Sequence, residues 1–407
     1  MNDHAKVPDL LATDLYREPN ALASSYSRFR VDQRLLLTGH SHQAWPDCAL
    51  AGQQRAWEDA AELVDDKWER AFAEADKVRE GFRRLVGDPD GHYNLAANTH
   101  DLLVRFLSAL PLAQRPKLVA TDGEFHTIRR QFDRLEEENW VEIVRVSADE
   151  PDLLAERLSA EVDDRTAAVL VSSVLFQSSR LVPGLDGVMA AAERHGAEFL
   201  VDTYHTLNAV PMDLVAEGLA NAFVLGGGYK YCQLGEGCCF LRTPPGCTLR
   251  PVITGWFAEF DALAEADREP RVAYNAGPWR FAGATYDPTS HYRAADVFDF
   301  FVERGLTPEL LREVSQHQVG LLTAAFDGLD LDPAILRRDR SVDLSRVGGF
   351  LVLTGPRAGE ISQALRQHGV FTDSRGPNLR LGPAPYLCDR QLNDAIGLLG
   401  ETARQVG

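Results

Sequence analysis

Short apolar runs alternate with longer amphipathic segments through the first two thirds of the chain. LVAT at 118–121, AAVLVSS at 167–173, EFLV at 198–201 and AFVL at 222–225 are brief, continuous and aliphatic. Runs of this kind read as strands buried on both faces. Further strands are expected in the YNLAA segment that starts at Tyr93, ahead of the turn at Ala97, and at 140–148. Between them, apolar residues recur at helical spacing over 48–85, from Asp101 onward, and over 152–162 and 186–196, with charges on the opposite face. Strands and helices in this alternation predict an α/β fold with a mainly parallel sheet covered on both sides. Beyond about residue 290 the pattern changes. Helices are expected over 292–304, 308–328, 359–368 and 389–406, and strands over 346–354 and 379–382, which make an α+β layer. The chain therefore divides into an N-terminal arm (1–45), a large domain (46–290) and a smaller C-terminal domain (291–407).

A length of 407 residues fits this division, because single cores stop growing well below that size. The net charge of −18 disfavours nucleic acid and anionic membrane as partners, which call for a basic surface. The first residues lack the basic and apolar regions of a secretory signal, and no apolar run reaches membrane-spanning length, so a cytoplasmic protein is expected. The six cysteines form no C-x-x-C pair and have no His partner at zinc spacing; they read as free, mostly buried thiols. No metal site is expected.

The chemistry concentrates between residues 199 and 240. One predicted strand delivers Asp202 and His205 at its end, in DTYH; the next delivers Tyr229 and Lys230 after three glycines, in GGGYKY. Taken singly, such an Asp is a turn residue and such a Lys a solvated one. Ligands of an open α/β sheet bind outside the carboxyl ends of its strands, so the two should converge on one crevice. A discharged lysine forms a Schiff base with an aldehyde, and an aspartate keeps a pyridinium nitrogen protonated. Together they are the minimum set for pyridoxal 5'-phosphate. The polar turn Ala97-Asn98-Thr99-His100 precedes a helix, whose N-terminus suits a phosphate and makes Asn98 and Thr99 candidates. No G-x-G-x-x-G follows the first strand, and GGGYKY is not a P-loop, so nucleotide folds are disfavoured. His40 and His42 stand at i, i+2 with no third ligand nearby. They read as a substrate-facing loop rather than a metal site.

The D-x-x-H and Y-K pair, joined to Asp373-x-Arg375 and Arg380 near the end of the chain, resembles the kynureninase family, in the class V branch of fold-type I pyridoxal-phosphate enzymes. The likeness extends from about His40 to Leu387. It implies a pyridoxal-phosphate-dependent transferase-like large domain and an amino-acid substrate. By this resemblance Lys230 carries the cofactor and removes the α-proton. Asp202 pairs with the pyridine nitrogen, His205 lies beside the ring, and Tyr229 contacts the phosphate and serves as nearby acid. Glu124 and His126 take the places of family groups at the ring oxygen and over the ring. Ser172 and Trp256 match cofactor-contacting residues, and Arg380 matches the clamp on the substrate carboxylate. Thr285 matches a residue that reaches the cofactor phosphate of a neighbouring subunit, which implies a homodimer with active sites at its interface.

The reaction implied is hydrolytic Cβ–Cγ cleavage of kynurenine or 3-hydroxykynurenine to alanine and an anthranilate. The chain departs from the family pattern at His40, where an Asn is usual, at Ala258-Glu259, where Gly-His is usual, and at the inserted Ala284. These changes make cofactor use a firmer expectation than the substrate, and leave a β-lyase, aminotransferase or epimerase as the alternative. Cysteine desulfuration is disfavoured, because no cysteine lies between Cys247 and Cys388.

Overall fold

The computed structural model describes residues 10–263 and 271–407, without the side chains of 261 and 262. The first nine residues of the expected arm lie outside the described residues. The elements run in the order α1 (Ala12–Tyr16), β1 (Leu35–Leu36), α2 (Cys48–Leu63), α3 (Trp68–Leu85), β2 (His92–Ala96), α4 (Thr99–Ala109), β3 (Lys117–Thr121), α5 (His126–Glu137), β4 (Glu142–Val146), α6 (Pro151–Ala160), β5 (Thr166–Ser172), α7 (Leu185–His195), β6 (Glu198–Asp202), β7 (Phe223–Gly227) and β8 (Cys239–Thr243). They continue with α8 (Thr289–Glu303), α9 (Pro308–Asp327), β9 (Leu351–Thr354), α10 (Ala358–Gln367), β10 (Val370–Phe371), β11 (Asp373–Arg375), β12 (Asn378–Leu381) and α11 (Asp389–Val406).

Seven strands form the main sheet in the order β2-β8-β7-β6-β5-β3-β4. Only β8 runs against the others, pairing antiparallel with both β2 and β7. Side chains alternate across this sheet because successive residues of a strand point to opposite faces. Val119, Val169, Val171, Phe199, Val201 and Val224 join the core on one side. Leu118, Ala120, Leu170, Leu200, Phe223 and Leu225 join the core on the other. Each such side chain removed from water contributes about 1.5–3 kcal/mol, which makes the centre of the sheet a rigid platform for the loops at its edge.

The three-stranded antiparallel sheet β11-β12-β9 packs with α9 and α10, and α11 packs on those two helices. The segment before α2 does not cross freely: β1 pairs in parallel with β10, and Thr38 bridges Gly382 at the end of β12. Gly382 permits this approach, since a Cβ there would come within 2.3 Å of His40 Nδ1. The helical stretch expected over 48–85 is broken at Val64, whose φ is 52°, so it forms two helices. Trp57 is 78% exposed on the first of them. Among the described residues no helix is long and apolar enough to cross a membrane.

Candidate active site

The carboxyl ends of β5, β6 and β7 and the N-terminus of α4 enclose a cavity of about 470 Å³. Its lining includes Asn98, Thr99, Ser172, Asp202, His205, Tyr229 and Lys230, drawn from four separate stretches of the chain. Gly227 lets the β7 turn close: a Cβ there would meet Tyr204 Oη and Cys239 Sγ at 2.5 Å.

Lys230 is buried, with Nζ 2.8 Å from His205 Nε2. The rings of Tyr204, Phe125 and Tyr229 surround it, with centroids 4.6, 5.3 and 5.8 Å away. Loss of hydration brings its pKa down to about 7, with Asp202 pulling upward and Arg380 pushing further down. The amine is thus half discharged near neutrality, as a Schiff-base lysine requires. His205 is neutral, because burial and then the Lys230 charge hold it well below its ordinary value, and its Nδ1 has no partner.

Asp202, the last residue of β6, accepts one hydrogen bond at Oδ1, from the Tyr204 backbone N–H at 2.9 Å. Burial raises its pKa, against the Tyr204 N–H and Lys230. A carboxylate so placed gains from a cationic N–H delivered into the cavity. At the opposite end, Asn98 caps α4 by accepting from the Asp101 N–H at 2.9 Å, and Thr99 begins the helix. Free backbone N–H groups and the positive end of the helix dipole face the cavity there, a chemistry suited to phosphate. Tyr229 is a phenol rather than a phenolate: burial pushes it up to about 12. Its ring stacks on His42, 4.8 Å between centroids at 22°. His42 Nε2 also lies 3.5 Å from a Glu236 carboxylate oxygen at the cavity rim.

Several candidates fall elsewhere. His126 is exposed at the start of α5, and the cavity wall is formed by its neighbours Phe125 and Thr127. Phe125, extended one residue before the helix, lines the cavity where His126 does not. Glu124 is buried outside the lining and bonded to Ser172, which does line it. Trp256 is 44% exposed in an aromatic group with Phe257 and Phe260. Thr285 lines a second cavity of about 650 Å³, which shares Ala97, Glu236 and Gly237 with the first.

Arg380 is buried on β12 and already engaged. Nη2 donates to Asp373 at 2.5 Å and Nη1 to the Phe176 carbonyl at 2.7 Å, while Nε has no partner. His40 packs on Phe350, 4.6 Å between centroids, with Nε2 3.7 Å from Asp373. Burial lowers it to about 4, so it is neutral.

Sequence reasoning missed Tyr204, Phe125, Phe176, Glu236 and Cys239 as lining residues. Tyr204 lies inside the DTYH motif and Phe125 one residue from each neighbouring candidate. Both were within reach of a small shift in register. Cys239 becomes visible only once CCFLRT is read as a strand.

No family model matches the chain. It is similar to the kynureninase of Pseudomonas fluorescens, 26% identical over 426 residues that span 97% of this chain and 94% of that protein. Two solved structures share its fold. The cystine C–S lyase C-DES, in complex with its product cysteine persulfide, superposes with a TM-score of 0.79 at 15% identity, covering 91% of this chain and 98% of that one. The apo cysteine desulfurase of Thermococcus onnurineus gives a TM-score of 0.78 at 15% identity, covering 96% and 99%. The chain is kynureninase-like in sequence and carries the fold of the class V pyridoxal-phosphate enzymes.

Proposed function

We propose that this protein is a pyridoxal 5'-phosphate enzyme acting on an amino acid, and that it hydrolyses the Cβ–Cγ bond of kynurenine or 3-hydroxykynurenine to release alanine and an anthranilate. The observation that carries this reading is the meeting of a buried, half-discharged Lys230 with Asp202 and His205 in one cavity, in a chain similar to a kynureninase over nearly its whole length. The cavity fits the cofactor at both ends. Asp202 receives the ring nitrogen, and the Asn98-Thr99 helix start receives the phosphate. When bound, the cofactor draws electrons from the substrate's α-carbon and so weakens the bonds beside it.

The protein's own groups do the rest. Lys230 would hold the cofactor covalently, and its free neutral amine takes the α-proton at Nζ. Neutral His205 holds that nitrogen in place without adding a second charge. The Tyr229 hydroxyl, kept protonated by burial and lining the same cavity, is a proton donor beside Lys230. Arg380 receives the substrate carboxylate on the donors that Asp373 and Phe176 leave free, since a guanidinium carries five. In this reading the functional unit is a homodimer, with Thr285 reaching the partner's cofactor phosphate. It retains an arm (1–45), a cofactor-binding domain (46–290) and a small domain (291–407).

The test is to incubate cofactor-loaded protein with L-kynurenine and with 3-hydroxykynurenine and to follow both products. Release of alanine and the matching anthranilate supports the hydrolase; a protein that binds the cofactor and releases neither is not one. The fold shared with C-DES favours one second reading, β-elimination. Persulfide release from L-cystine under the same conditions distinguishes it.

A further inference from the structure

The buried carboxyl of Glu124 has no part in the chemistry above, yet it is bonded to Ser172, which lines the cavity. Glu124 follows β3 and Ser172 ends β5, and these strands are neighbours in the sheet although β4 and its helix intervene in sequence. The pair spans the point where the strand order reverses, where open α/β sheets place their ligands. Ser172 Oγ lies 2.6 Å from Glu124 Oε2, and the Ser172 backbone N–H donates to Oε1 at 3.2 Å. Thr121 Oγ1 donates to the same Oε1 at 2.6 Å. Glu124 is 3% exposed and absent from the cavity lining, whereas Ser172 is part of it. On its other side Glu124 lines a separate pocket of about 130 Å³, between β3, β4 and α5, which also includes the exposed residues Asp122 and Arg129.

We propose that Glu124 is a positioning residue, which sets from outside the cofactor cavity whether Ser172 offers a bound cofactor a hydrogen-bond acceptor or a donor. An ionised Glu124 accepts the Ser172 hydroxyl proton, and only oxygen lone pairs then face the cavity. A protonated Glu124 donates its own O–H to Ser172 Oγ or to Thr121, and the Ser172 proton is free to turn inward. The backbone bond to Oε1 holds the serine in place in both states, so what changes is its polarity and not its position.

Charge around Glu124 favours a change near neutrality. Asp202 approaches from β6, Asp122 from its own turn, His126, Arg129 and Asp133 from α5, and Arg145 from β4. Both arginines are tied to Asp133, at 2.9 and 2.8 Å, so neither is bonded to Glu124. Burial, opposed by the hydroxyl bonds and reinforced by Asp202, carries its pKa up to about 7. The outer pocket lets the proton exchange while the cofactor cavity is filled.

The inference rests on the cavity being a pyridoxal-phosphate site, and its test separates the two. Cofactor affinity of the apoprotein is titrated by fluorescence from about pH 5.5 to about pH 8.5, either side of the neutral range in question. Wild type, Glu124→Gln, Ser172→Ala and the double variant are compared. Taking the ratio of Glu124→Gln to wild type removes ionisations common to both, such as those of Lys230 and the phosphate. We expect that ratio to change by about threefold to tenfold across the range, the worth of one hydrogen bond. In the Ser172→Ala background the same ratio should be flat. A constant ratio, or an effect that persists without Ser172, overturns the role of Glu124 and leaves the cofactor reading standing. Failure of wild type to bind the cofactor overturns both. Ser172→Ala trims a single oxygen and should by itself remove the pH-dependent component, so the test survives a misfolded Glu124 variant.

Discussion

Burial moves Lys230 and Glu124 in opposite senses, and their effects on stability separate with pH. Folded Lys230 gives up its proton at about 7, against about 10.4 for an unfolded lysine. Its contribution is therefore present at alkaline pH and lost as pH falls through about 7. Lys230→Met should raise the melting temperature of the apoprotein most below neutrality, with the gain fading above it. Folded Glu124 keeps its proton to about 7, well above an ordinary carboxyl. Its contribution is present at acid pH and lost as pH rises through about 7. Glu124→Gln should accordingly stabilise most in mildly alkaline buffer. Melting curves of the two variants across pH check both signs, and parallel profiles would refute the burial argument. Arg380 tests differently. Its Ala variant should raise KM about tenfold or more through a lost charged hydrogen bond, while cofactor affinity stays within about twofold. An unchanged KM would return Arg380 to a purely structural pairing with Asp373.

Elements of the sheet and its helices were legible wherever periodicity is local. The strand runs around Val119, Val169, Val201 and Val224 and the helix at Asp389–Val406 stand close to where their patterns place them. Elements made by distant pairing were not. β8 pairs with nearby β7 but also joins β2, far away in sequence, to the sheet, and β1 and β10 are two-residue strands that exist only as each other's partners. The same limit applied to the site. Asp202, His205 and Lys230 are marked by short motifs, whereas Phe176 enters the cavity wall through a loop whose carbonyl is held by Arg380, some 204 residues on. The join between the Arg380 strand and the segment before α2 makes a sharper prediction. Gly39 N–H donates to the Gly382 carbonyl at 2.8 Å and Gly382 N–H to the Leu37 carbonyl at 2.8 Å, with the His40 ring pressed against Gly382. Gly382→Ala forces a methyl into that ring and should cost about 1–3 kcal/mol, read as a lower denaturation midpoint. A neutral result would mean that His40 has room to move.

At the scale of the whole molecule, an otherwise acidic protein exposes a group of apolar side chains, part of which borders the second cavity. Val252, Ile253, Trp256, Phe260 and Val272 are 81, 53, 44, 41 and 58% exposed, and Phe257, packed against Trp256, lines the second cavity with Thr285. In the proposed homodimer this surface is covered by a second copy, and the hydrophobic gain must outweigh the mutual repulsion of two chains that each carry a net charge of −18. That balance gives the association a definite dependence on salt. Added salt screens the repulsion over about 10 Å and leaves apolar burial intact, so the dimer should tighten between low and moderate ionic strength. An interface built on ion pairs would loosen instead. Sedimentation velocity over a salt series distinguishes the two. Ile253→Asp places a buried charge on each side of such an interface and should yield monomers. If Thr285 completes the partner's phosphate site, those monomers also bind pyridoxal phosphate more weakly, although every residue lining their own Lys230 cavity is intact. Monomers with full cofactor affinity would show that each chain holds its cofactor unaided.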